Sequence, residues 1–157
     1  MKRNNRRILA GILAAILCLA TGAGFADQSL EYCLPDGKHY LRLPMEMSWQ
    51  QPSSDETDLM GIWLMPPDLE MLVFAYETQG TTVQALAEAL TAAGKTAEVR
   101  EIAGEDFLVF QDQDETDGAS CVGYSFISEG MMVEISFFYA TQAALDLTIS
   151  IMESLHT

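Results

Sequence analysis

Histidine, cysteine and basic side chains are scarce in this 157-residue chain, and each shortage removes a class of function. There are two histidines, three cysteines, and eight lysines and arginines set against 23 acidic residues. Nucleophilic catalysis needs a base beside a nucleophile and an acid to orient it. Here the only candidates for the base are His39 and His156, and no Gly-x-Ser-x-Gly elbow presents a serine. His39 stands at a strand start beside the Asp36-Gly37 turn and reads as an ordinary strand residue. His156 is the next-to-last residue, where a chain end frays. No Cys-x-x-Cys pair occurs, so neither a thioredoxin-like site nor a zinc site is indicated. Phosphate-binding glycine loops and dinucleotide fingerprints are also missing, and no cofactor is implied.

The few basic residues are unevenly placed. Lys2, Arg3, Arg6 and Arg7 precede an apolar run of 13 residues, Ile8 to Ala20, and the small-residue stretch Thr21-Gly22-Ala23-Gly24-Phe25-Ala26 follows. Basic, then apolar, then small is the order of a secretory signal peptide. The run is shorter than the ~20 residues a transmembrane helix needs. Cys18, preceded by Ile16-Leu17, lacks the small residue a lipoprotein signal places there. We expect a signal peptide over residues 1–26, cleaved after Ala26, with an uncleaved anchor as the alternative, and one domain over 27–157. The protein is then secreted or extracytoplasmic, and the basic start points to a bacterial source.

Residues 27–157 keep Lys38, Arg42, Lys95 and Arg100 against all 23 acids, a net charge of −19. That charge repels phosphate backbones and anionic lipid headgroups. Nucleic acid, and a membrane after signal cleavage, are excluded as partners. Cations, basic proteins and neutral ligands are favoured, although an acidic surface also simply keeps an exported protein soluble. Cys33 and Cys121 remain after cleavage. A disulfide between them would close a loop of almost 90 residues and stabilise by roughly 4 kcal/mol. Two separate thiols are the alternative.

The periodicity predicts an α+β domain. Pro35-Asp36-Gly37 joins strands near 31–34 and 39–43, and Pro44 ends the second. Residues 50–58 are polar and turn-rich. Strands follow at 61–65 and 70–78, and the second is apolar on both faces, as a strand covered on both sides should be. Thr81 with Gln84 resembles a capping box for a helix over 81–93 that Gly94 stops. Four strands, 97–102, 106–111, 119–127 and 131–139, have short connections and so form an antiparallel meander. Thr141 caps a last helix, 142–155, packing through Ala144, Leu145, Thr148, Ile149, Met152 and Leu155. The sum is an antiparallel sheet, meander plus N-terminal hairpin, with one mid-chain and one C-terminal helix.

The run Asp36-Gly37-Lys38-His39-Tyr40-Leu41-Arg42-Leu43-Pro44, followed by Trp49, resembles the first hairpin of PsbP-like domains. The layout of mid-chain helix, meander and C-terminal helix is similar as well, over residues 30–155. The resemblance implies a binding or accessory role and assigns no functional residue.

Metal-site candidates are the acidic cluster Asp112, Asp114, Glu115 and Asp117, which lacks the EF-hand's glycine and glutamate spacing. Asp55, Glu56 and Asp58 form a second acidic loop. Met45 with Met47, and Met131 with Met132, have the thioether spacing of copper(I) sites, although methionine more often fills core gaps. Trp49, Trp63 and Tyr40 are residues that can stack on a sugar or peptide, although they more often pack in a core or at an edge. Three readings result: a non-enzymatic domain binding a protein or small molecule at the cell surface, a cation- or copper-binding protein, and a small hydrolase.

Overall fold

A computed structural model describes residues 29–113 and 120–157. The expected signal peptide, with its cleavage site after Ala26, lies outside the described residues. The elements are β1 (Ser29–Cys33), β2 (Tyr40–Pro44), β3 (Ser48–Gln50), β4 (Leu59–Met65), β5 (Leu69–Glu77), α1 (Val83–Ala92), β6 (Thr96–Ile102), β7 (Glu105–Gln113), β8 (Ser120–Ser128), β9 (Met131–Tyr139) and α2 (Gln142–Glu153). This is the expected α+β architecture. Strand β3, in a stretch to which the sequence assigned no element, is the one addition. It adds Trp49 to the sheet by pairing with Trp63 across β4.

Strands β1 and β2 form a two-stranded hairpin, and the other seven form one sheet in the order β3-β4-β5-β9-β8-β7-β6. Every pairing is antiparallel. The chain leaves β5, crosses through α1 to the far edge, and meanders back until β9 lies beside β5. Strands β5 and β6 therefore run parallel, which is why a helical crossover joins them.

The register sorts side chains onto two faces. On the inner face Met71 lies beside Phe137 and Val122, Val73 beside Ile135 and Tyr124, and Ala75 beside Val133 and Phe126. These rows are buried together with Leu41 and Leu43 of the hairpin and Ala144, Ile151, Met152 and Leu155 of α2 or just beyond it. Each large apolar side chain buried there contributes about 1.5–3 kcal/mol. Helix α2 packs through Ile151 instead of the expected Ile149, which is exposed. A turn of 100° per residue places 144, 148, 151 and 155 on one stripe and 149 off it.

Helix α1 covers the outer face over β6, β7 and β8. Its N-cap is Thr82, one residue later than expected, and the Thr82 hydroxyl accepts the Ala85 N–H at 3.2 Å. Gln84 instead reaches Glu88 one turn on. The expectation that β5 is covered on both sides holds for its inner face alone. Leu72, Phe74 and Tyr76 on the outer face are half-buried.

Two turns of the meander are two-residue loops, Ala103-Gly104 and Glu129-Gly130, all four residues having positive φ. That is the type I′ geometry matching the twist of the strands. Ala103, at φ 53°, carries a Cβ where the left-handed region disfavours one. Ala103→Asn is expected to stabilise the protein by about 0.5–1 kcal/mol in urea unfolding, without changing the m-value.

Candidate functional site

The described residues assemble few of the expected sites. Asp112 sits exposed on β7 and is ion-paired with Lys95, while Asp114, Glu115 and Asp117 lie outside the described residues. Among the described residues no three His, Cys, Asp or Glu side chains converge as metal ligands. Met45 is 58% exposed and Met47 5%, so the two thioethers face different surroundings. Met131 and Met132, adjacent on β9, point to opposite faces of the sheet. Trp63 is buried against Tyr32, edge to face at 5.2 Å, whereas Trp49 is 52% exposed on the β3 edge.

The disulfide left open by the sequence is not formed. Both thiols are free, Cys33 exposed and Cys121 buried. Cys33 is in the hairpin, on the inner side of the large sheet. Cys121 alternates with inner-facing Val122, so its side chain points to the outer face, away from the hairpin. Burial pushes the Cys121 thiol up to about 12, with Glu134 and Asp112 adding to the rise and Lys95 opposing it. That thiol is inert at neutral pH.

Neither histidine behaves as the sequence implied. His39 is 3% exposed, and its Nδ1 lies 2.6 Å from Asp36 Oδ2. Its ring meets Phe126 edge-on at 4.9 Å, and Phe126 in turn contacts Phe107. Nε2 is buried with no hydrogen-bond partner among the described residues. The pair fastens the hairpin tip to the core. Burial tends to raise the Asp36 carboxyl, but His39 and the backbone N–H groups of Lys38 and His39 outweigh this and hold it below the usual range. His156 is not frayed. It exchanges two backbone hydrogen bonds with Tyr40, at 2.8 and 3.1 Å, stacks on the Tyr40 ring, and sets Nε2 3.1 Å from Glu31.

What the sequence reading missed is the outer face over β4, β5 and β9. Helix α1 stops at β8, and beyond it Ile62, Leu64, Leu72, Phe74, Tyr76 and Phe138 are half-buried on a continuous surface. The Phe74 and Tyr76 rings lie parallel within 8°, centroids 6.0 Å apart. In their midst is Glu134, beside Phe74 on one strand and Ser125 on the other. Its Oε1 accepts a hydrogen bond from the Ser136 hydroxyl at 2.9 Å. Burial raises the Glu134 carboxyl above the ordinary glutamate range, and the Ser136 bond pulls it part of the way back. Next to this notch Gly123 lies under the Phe110 ring, where a Cβ would stand 2.1 Å from the ring edge. The sequence held a signal for this surface: β9 reads Met-Met-Val-Glu-Ile-Ser-Phe-Phe-Tyr, a lone charge in an apolar strand.

At the sequence level no family model matches the chain, and no curated protein matches it. Solved structures do. Cyanobacterial PsbP (CyanoP) from Synechocystis, known in solution, superposes with a TM-score of 0.63 at 12% identity, covering 88% of this chain and 98% of that one. The fold is PsbP-like. LpqN of Mycobacterium tuberculosis, described as involved in cell envelope biogenesis, gives a TM-score of 0.54 at 13% identity over 82% of this chain and 89% of its own. A crystal structure from Bacteroides thetaiotaomicron gives 0.57 at 11% identity, with 81% of this chain matching 47% of that one. At such identities it is the PsbP-like architecture that is shared, and no functional side chain is carried across.

Three outcomes are expected. Removing the buried carboxylate by Asp36→Ala costs about 2 kcal/mol at pH 7. Because the folded-state carboxyl is held low, its contribution is full above the ordinary carboxylate pKa and fades in acid. The deficit therefore shrinks below about pH 4. Lys38→Ala, which breaks an exposed ion pair with Glu129, leaves the melting temperature unchanged. At Glu134 the sign is opposite: a raised folded-state carboxyl costs stability once ionised. Glu134→Gln melts above wild type at pH 7, and the two converge below about pH 4 in a pH series of melting curves.

Proposed function

We propose that this chain is a small, exported, non-enzymatic accessory domain that holds a ligand against the outer face of its sheet. One observation carries the reading. Half the sheet's outer face is apolar, aromatic and uncovered by any described element, although the fold has a helix on that side. Exposed apolar patches of this kind mark interaction sites in otherwise polar surfaces. The basic-apolar-small start of the sequence supports export. Among the described residues no helix is long and apolar enough to cross a membrane. LpqN, of similar fold, is described as involved in cell envelope biogenesis, which agrees with a role at the cell envelope.

The chemistry around the two histidines supports the non-enzymatic reading. His39 is sealed in the core, and His156 is tied to Glu31 and the Ser154 carbonyl at 2.9 Å. Each serves to attach the ends of the chain to the core.

A thermal-shift panel with apolar peptides, neutral sugars, calcium, copper(I) and chelator tests the proposal. Ligand at 100 times its dissociation constant adds about 2.7 kcal/mol to stability. The expected result is a saturable rise with a peptide that disappears in Phe74→Ser. A rise with calcium or copper(I) and none with peptides would overturn it in favour of a cation-handling protein.

A further inference from the structure

The apolar face is not uniform, and the carboxylate beside its aromatic rings says what it is built to meet. Glu134 sits in the centre, flanked by Phe74 and Ser125 in register. Among the described residues, the side chain bonded to it is the neutral Ser136 hydroxyl. The cations of the folded part are committed elsewhere. Lys38 pairs with Glu129, Lys95 with Asp112 and Arg100 with Glu98, while Arg42 is on the hairpin, across the sheet. Glu70 stands on the same face beside Phe138. A half-desolvated carboxylate beside Phe74, with only serine hydroxyls as its described polar neighbours, is costly until a cation reaches it.

We infer, building on the proposed binding face, that its partner is a basic amphipathic protein segment. Such a segment lays leucine-like side chains on Ile62, Leu64 and Leu72 and sets one lysine or arginine over Phe74 and Tyr76 onto Glu134. The recognition chemistry is available on this face. Lys and Arg stems cover apolar and aromatic surface while their heads seek an acceptor. A cation over a Phe or Tyr ring gains further attraction, more so where water is excluded. The net charge of −19 over residues 27–157 draws a basic segment from a distance and rejects acidic ones. The same charge argues against an anionic lipid surface as the occupant.

The test uses the purified protein and three synthetic peptides of one amphipathic pattern, Leu/Lys, Leu/Ser and Leu/Glu, with phosphatidylglycerol vesicles as a fourth probe. Affinity is read by fluorescence anisotropy and location by backbone amide NMR shifts. The Leu/Lys peptide is expected to bind about tenfold more tightly than Leu/Ser, with shifts confined to β5, β9 and their neighbours. Glu134→Gln, which keeps the Ser136 hydrogen bond and the fold, removes that tenfold advantage. Phe74→Ser weakens both peptides. Equal binding of Leu/Lys and Leu/Ser, indifferent to Glu134→Gln but sensitive to Phe74→Ser, overturns the basic partner and leaves the binding face standing. If no peptide shifts the outer face, both readings fall. Leu/Lys binding spread over Asp55, Glu56 and Asp58 and unaffected by either substitution overturns the site as non-specific attraction. Preferential binding of the vesicles overturns the protein segment in favour of lipid.

Discussion

The ladder between β5 and β9 is the constraint on which this molecule depends. Nine consecutive residue pairs, from Leu69 with Tyr139 to Glu77 with Met131, join strands far apart in sequence. Two local units, β3-β4-β5 and β6 to β9, become one sheet only through this pairing. Its register also fixes which side chains are inner and which are outer, because a slip of one residue would exchange the faces. With the register as it is, Met71, Val73, Ile135 and Phe137 meet the hairpin and α2, and Phe74 and Glu134 do not.

The open half of the outer face follows from the same geometry. The crossover must travel from β5 past three strands to the far edge, since β6 pairs with β7 alone. A ten-residue helix is about 15 Å long, whereas strands lie about 4.8 Å apart. Helix α1 packs on β6 to β8 and leaves the outer face of β4 and β5 open among the described residues. Aromatic residues left half-exposed there, and a carboxylate held above its ordinary range among them, lower the stability of the isolated domain. Such departures from a consistently packed and satisfied surface are what the proposed binding role accounts for.

The opposite side shows the reverse economy of form. The hairpin is stitched to the end of the chain by the Tyr40–His156 bridge and by the Arg42 N–H donating to Ser154 Oγ at 2.8 Å. Its tip is pinned by Asp36 and His39 against Phe126. These contacts close the inner core at its edge. They explain how a chain with so few histidines uses both for attachment.

Local pattern by itself determined the element order, the antiparallel meander, the two helices and the α+β class, because period-2 and period-3.6 apolar spacing and turn residues such as Pro35-Asp36-Gly37 and Glu129-Gly130 act over a few residues. The resemblance of the opening hairpin to PsbP-like domains was likewise legible there. Strand β3 escaped, since three residues carry too little periodicity, and the α1 cap was misplaced by one residue between adjacent threonines. The fates of Cys33 and Cys121, the burial of His39 and the setting of Glu134 were decided only in three dimensions. Each depends on which side of the sheet a residue faces and what the crossover leaves uncovered. Those are consequences of long-range pairing, and sequence spacing does not encode them.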